Sequence, residues 1–148
     1  MLSLPPMTRT KIAVATGALL VAIQLVPVSR TNPPVTSPVK APPEVEALLR
    51  RACFDCHSHE TVWPLQAYVA PASWLVAHDV SEGRKHVDFS AWDRMDLVKV
   101  AKELPGEVTG KDMPPWYYAI AHPRARLTDA ERKTLSDWAR GLGEVKTP

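Results

Sequence analysis

Cys53-Phe54-Asp55-Cys56-His57 restricts this chain more than any other stretch. The two cysteines are the only ones in 148 residues, so no multi-bridge disulfide framework can hold a small fold together. Their spacing suits a particular chemistry. Two thiols three positions apart on one helical turn can add to the two vinyl groups on one edge of a porphyrin. The adjacent histidine then lies under the ring, where its imidazole binds iron from the proximal side. Cys53 and Cys56 are therefore expected as the covalent attachment points of one haem c, with His57 as proximal iron ligand. A covalent bond also keeps the cofactor in place outside the cell.

Rival chemistries suit these residues less well. Cys53, Cys56, His57 and His59 have the residue types of a tetrahedral zinc site. The second cysteine pair of a zinc ribbon is missing, however, and His78, His86 and His122 lack H-x3–5-H spacing. A thioredoxin-like redox pair would need a βαβ pattern around it, and none is present. A chance match is the remaining alternative.

Charge and proline are unevenly placed. Four of the eighteen basic residues, none of the sixteen acids and eight of the fifteen prolines fall in residues 1–43. Fourteen basic against sixteen acidic residues remain from Glu44 onward, so the net charge of +2 belongs to the leading segment. The rest is mildly acidic and offers no basic patch for nucleic acid. Ile12 to Val28 carries no charge and follows Arg9 and Lys11, the pattern of a segment presented to the secretion machinery with its N-terminus inside. As a helix it would reach about 25 Å, near the lower limit for a membrane span. An uncleaved single-span anchor and a cleaved signal segment both remain open; a buried core helix is disfavoured because no face is polar. Thr31 to Pro43 (TNPPVTSPVKAPP) reads as an extended proline-rich tether. The expected organisation is a cytoplasmic N-terminus at 1–11, a membrane anchor or signal segment at 12–28, a tether at 29–43 and a haem domain at 44–148.

The occupant of iron's second axial position decides between electron transfer and ligand chemistry. The candidates are Met95, Met113, His59, His78, His86 and His122. Met95, in WDRMDLVKVAKEL, is most simply a core residue. Met113 precedes Pro114 and Pro115, which stiffen the backbone and end any helix. A rigid loop is what a weak thioether ligand requires, since ordering a flexible one would oppose the bond. Met113 is the expected distal ligand, with His78 and His122 as alternatives; His59 is too near the attachment turn to reach the opposite face.

Helical periodicity surrounds the motif. Val45, Leu48, Leu49 and Ala52 align in EVEALLRRA, entering the attachment sequence directly. Thr128-x-x-Glu131 is a capping box opening TDAERKTLSDWARGLG, with Leu135, Trp138, Ala139 and Leu142 on one stripe. Pro71–Glu82 and Ser90–Leu104 read as two more helices, and no run alternates as a strand would. The expected fold is all-α.

A helix entering CxxCH, intervening helices, a Met-Pro loop and a closing amphipathic helix look like a class I cytochrome c. Three blocks, CFDCHSHETVWP, APASWLVAHDVSEGRKHVDFSAW and MPPWYYAIAHPRARLTDAE, resemble the bacterial haem-binding domain family of exported mono-haem proteins. Thr31–Pro34 resembles its Thr-Asn-Pro-Pro stretch, and the likeness spans roughly residues 20–142. Relatives tend to carry an aromatic-rich WPWY where this chain has Trp63-Pro64-Leu65-Gln66. The resemblance implies thioether sites at Cys53 and Cys56, His57 as proximal ligand and Met113 as distal ligand. It also assigns Trp63, Trp74, Trp92 and Trp116 to packing around the haem. Arg84 and Lys85 read as a solvated pair, with haem propionates as the alternative partner.

The function these features imply is a mono-haem cytochrome passing single electrons on the periplasmic side of the inner membrane. It would be held there by its N-terminal helix, or be soluble after signal cleavage, and its partners would be redox proteins. The alternative is a haem-based sensor or peroxidase-like enzyme with a displaceable distal ligand. Motifs of hydrolases and nucleotide enzymes are missing, so an electron carrier rather than an enzyme is expected.

Overall fold

The computed structural model describes residues 8–144, and all its regular elements are helical. They are α1 (Arg9–Ala22), α2 (Pro43–Ala52), α3 (Phe54–His57), α4 (Ala72–His86), α5 (Leu97–Thr109), α6 (Trp116–Ala121) and α7 (Asp129–Leu142). The all-α expectation holds. An isolated parallel bridge between Ser37 and Ala91 is the only β pairing among the described residues. The chain forms two compact units, one of residues 8–30 with Trp63–His78, the other of Thr31–Val62 with 79–144.

In the first unit, α1 has fourteen residues, none of them buried. At 1.5 Å per residue it reaches about 21 Å, short of the roughly 30 Å hydrocarbon core of a bilayer. Among the described residues no helix is long and apolar enough to cross a membrane. The helix thus covers only the first part of the stretch 12–28 that was expected as a membrane anchor or signal segment. After Ala22 the backbone tightens into a 3-10 turn at Ile23–Leu25, and Val26 turns extended (φ −72°, ψ 113°). Pro27 disfavours helical geometry at the residue before it, which explains the early stop. Most of the expected cytoplasmic N-terminus, residues 1–7, lies outside the described residues. Gln24 anchors the unit by pairing with both sides of one residue, accepting from the Ala70 N–H at 2.9 Å and donating to the Ala70 carbonyl at 3.2 Å. Arg30 donates to the Ala67 carbonyl at 3.2 Å and lies over the Tyr68 ring.

In the second unit, α2 follows its predicted stripe, burying Val45, Leu49 and Ala52. The capping box of α7 forms as expected: Thr128 N–H donates to Glu131 Oε2 at 2.8 Å, and Glu131 N–H donates to Thr128 Oγ1 at 3.2 Å. Leu135 and Ala139 are fully buried between α7 and its neighbours, and Arg51 pairs with Glu131 at 2.6 Å across α2 and α7. The expected helix over 90–104 begins later. Trp92–Arg94 is a 3-10 turn, and α5 starts after Asp96, whose carboxylate caps the Lys99 N–H at 3.1 Å. It also continues through Pro105, which is buried inside it.

The stretch expected as a tether is extended, as its prolines dictate, but it lies along the second unit. Thr36 and Ser37 N–H donate to the Ser90 carbonyl at 3.0 Å, Val39 N–H donates to the Phe89 carbonyl at 2.8 Å, and Val39 joins the core. From Asn32 onward it is part of the packed domain.

At the end of α5 the chain reverses into the Met113 loop. Lys111 has φ +69°, and the Asp112 N–H reaches back to the Glu107 carbonyl at 3.1 Å, the six-to-one bond of a Schellman turn. A left-handed residue at this position favours glycine. The Lys111 ion pair with Asp129, at 3.6 Å, is solvent-exposed and contributes little. Lys111→Gly is expected to raise stability by up to about 1 kcal/mol, read from denaturant unfolding. A loss of stability would contradict the turn assignment.

Candidate haem-attachment site

Cys53 interrupts the helical run at the end of α2. Its φ of −126° breaks regular geometry, while its N–H still donates to the Leu49 carbonyl at 2.8 Å. Its own carbonyl accepts from Cys56 N–H at 3.1 Å and His57 N–H at 2.9 Å, closing α3 as a single turn. One turn therefore carries both thiols and the imidazole, as the spacing required. Both cysteines are free thiols. Burial pushes Cys53 up to about 12, with Cys56 adding to the shift. Burial likewise pushes Cys56 up to about 12, with Asp79 and Asp55 adding and Arg84 opposing.

His57 is oriented by the chain that leaves α4. Its Nδ1 faces the Val87 carbonyl at 3.1 Å, so Nδ1 carries the proton and Nε2 keeps its lone pair for a ligand. Burial pushes the imidazole pKa down, opposed by the Val87 and Gly83 carbonyls, and a neutral ring is the form that ligates iron. Phe89 packs its edge against the ring at 6.2 Å and stacks with Phe54 at 5.5 Å.

Two residues missed in the sequence hold this turn in place. Gly83 is buried on α4; a Cβ built there would lie 2.6 Å from the Cys56 carbonyl oxygen and 3.0 Å from its carbon. Only glycine lets α4 approach so closely. Its one sequence signal, a glycine just past the apolar pattern of a helix, looks the same as an ordinary helix end. Arg84, expected to be solvated or to face propionates, is a clamp. Its Nε donates to Ser58 O at 2.7 Å, Nη1 to Thr31 O at 2.9 Å, and Nη2 to Asn32 Oδ1 at 3.0 Å and Thr61 Oγ1 at 2.9 Å. Lys85 pairs with Glu82 at the surface.

Met113 sits half-buried between the α5 turn and α6, with its N–H on the Glu107 carbonyl at 3.0 Å and its carbonyl accepting from Arg132 Nη1 at 2.8 Å. Five residues on, Tyr118 donates to Asp55 Oδ2 at 2.7 Å. Asp55 lies between the two cysteines, so the segment after Met113 is tied to the attachment turn. Tyr117 donates to Asp79 at 3.0 Å. Burial and these carboxylates push Tyr117 up to about 12 and Tyr118 higher still.

The other ligand candidates are placed differently. Met95 sulfur accepts the Asp88 N–H at 3.2 Å, in keeping with a structural role. His59 is held at both nitrogens, by Pro34 O at 2.8 Å and Asp88 Oδ2 at 2.7 Å. His122 stacks on Tyr118 at 4.2 Å and bonds its carbonyl, while His78 and His86 are not buried. Of the tryptophans, Trp92 stacks between Phe89 and Trp138, whereas Trp116 is 74 % exposed. Among the described residues no cluster of three or more His, Cys, Asp and Glu is arranged to hold a metal ion.

The donor set fits haem: two free thiols on one turn, and an imidazole whose second nitrogen is committed to a carbonyl so that the first is available. Comparison with known proteins points the same way. No curated protein and no solved structure matches the chain. The family model described as a haem-binding domain matches residues 18–141, a span that includes the attachment turn, the α4 clamp and the Met113 loop. The chain therefore belongs to the haem-binding domain family.

Proposed function

We propose that this haem-binding chain is an exported mono-haem c-type cytochrome that passes single electrons between redox proteins on the periplasmic side of the inner membrane. The observation that carries the reading is the attachment turn itself, where Cys53, Cys56 and an Nδ1-anchored His57 share one turn. Cys53 and Cys56 would form the thioethers, His57 would bind iron through Nε2, and Met113 would take the opposite side. Such an arrangement would be that of a class I cytochrome c. When bound, the haem supplies one-electron redox chemistry.

The protein's part is to hold its ligands still. His57 is fixed by Val87, and the Met113 backbone is bonded on both of its peptide groups. Ligands that stay in place in both oxidation states favour an electron carrier over an enzyme. Residues 12–28 would direct export, leaving the haem domain outside the cytoplasm whether or not the segment is later removed.

A visible spectrum of purified protein tests the reading. Low-spin haem that survives acid-acetone extraction, with a thioether-to-iron band when oxidised and resistance to carbon monoxide when reduced, is expected. Met113→Ala should remove that band, lower the reduction potential and admit carbon monoxide. A spectrum untouched by this substitution would remove Met113 from the iron. Open five-coordinate iron in the unaltered protein would favour a sensor or peroxidase-like role instead.

A further inference from the structure

The loop that carries Met113 is locked to two helices by one nitrogen. Arg132 on α7 donates from Nη1 to the Met113 carbonyl at 2.8 Å and from the same Nη1 to the Val108 carbonyl at 2.6 Å. Val108 lies in the last turn of α5, where its carbonyl accepts only a long backbone bond from the Lys111 N–H at 3.3 Å and the helix end attracts a cation. Nearby acids on α7 are engaged elsewhere, Asp129 with Lys111 and Glu131 with Arg51. The part-buried Arg132 thus has its charge answered by carbonyl oxygens of the Met113 loop and the α5 end.

We propose that Arg132 is the positioning residue for the distal ligand, setting how readily Met113 leaves its place. This rests on reading Met113 as that ligand. A thioether is a weak ligand, so its residence depends on how stable the closed loop is. An added ligand can bind only when the loop opens, and its apparent affinity scales with the open fraction. Charge-assisted bonds are among the stronger ones a loop can have. Losing both raises the open fraction roughly tenfold or more.

The test uses full-length holoprotein and added imidazole, titrated into the oxidised form of the unaltered protein, Arg132→Gln, Arg132→Lys and Met113→Ala. Arg132→Gln is expected to bind imidazole about tenfold more tightly and to weaken the thioether band. Arg132→Lys should fall between, because an ammonium can donate both bonds but sits on a differently shaped side chain. A lower unfolding temperature with unchanged imidazole affinity and an unchanged band would overturn the proposal, leaving Arg132 a purely structural residue. If Arg132→Gln does not fold, Arg132→Lys decides: unchanged affinity together with unchanged hydrogen exchange at the Met113 amide overturns it. Failure of the underlying reading is separate, since Met113→Ala would then bind imidazole no better than the unaltered protein.

Discussion

Replacing Gly83 with alanine is expected to unseat α4 from the Cys53–His57 turn and lower the unfolding temperature by several degrees, up to about 8 °C. The new Cβ would meet the Cys56 carbonyl oxygen at 2.6 Å and its carbon at 3.0 Å. These are backbone atoms within α3, so no side-chain rotation relieves the contact; the helix or the turn must move. Overpacking of this kind costs about 1–3 kcal/mol, set against the helix preference of alanine over glycine, worth about 1 kcal/mol in an unobstructed position. Gly106 provides that comparison, because it lies in α5 with nothing within 4 Å of an added Cβ. Gly106→Ala should therefore be neutral or stabilising. The damage at Gly83 also has a local signature: moving α4 lengthens the bond from His57 Nδ1 to the Val87 carbonyl, 3.1 Å in the intact protein. The variant is expected to mature with less haem per chain. Equal unfolding temperatures for Gly83→Ala and the unaltered protein would show that the close approach is not needed.

The contrast between these glycines shows which parts of the molecule can be read along the chain. The capping box of α7 and the apolar stripe of α2 are legible because they depend on residues three or four positions apart. The attachment turn is legible for the same reason. The late start of α5 is hidden because Asp96 acts as a cap through its carboxylate, and the preceding tryptophan and methionine continue an apolar pattern that the backbone does not follow. Gly83, Arg84 and Arg132 are hidden as site-shaping residues because their partners are distant in sequence. Gly83 meets Cys56, Arg84 meets Thr31 and Ser58, and Arg132 meets Val108 and Met113. Proline content marks residues 31–42 as extended, while Pro43, expected to end that stretch, opens α2 instead. Proline content does not reveal whether an extended segment is solvated or pinned to a neighbour, and that difference lies in backbone bonds to Phe89 and Ser90.

Arg84→Met is expected to destabilise the domain by about 3 kcal/mol and to release the chain around Thr31 and Asn32. Methionine has a similar length and keeps the packing, so the change isolates the guanidinium. Four bonds disappear, to Ser58 O, Thr31 O, Asn32 Oδ1 and Thr61 Oγ1. Their effects do not simply add, because the exposed partners regain water. Ser58 is fully buried, so its carbonyl has the least access to that compensation. Arg84→Lys should recover less than half of the loss, since one ammonium cannot reach three directions with the planar fork's geometry. The damage should also be graded along the chain. Thr36, Ser37 and Val39 keep their bonds to Ser90 and Phe89, so hydrogen exchange there should change little while trypsin cleavage after Arg30 accelerates. This gradient separates loss of a clamp from general unfolding, which would expose both segments together. A variant with unaltered stability and cleavage but a shifted reduction potential would instead return Arg84 to the haem carboxylates.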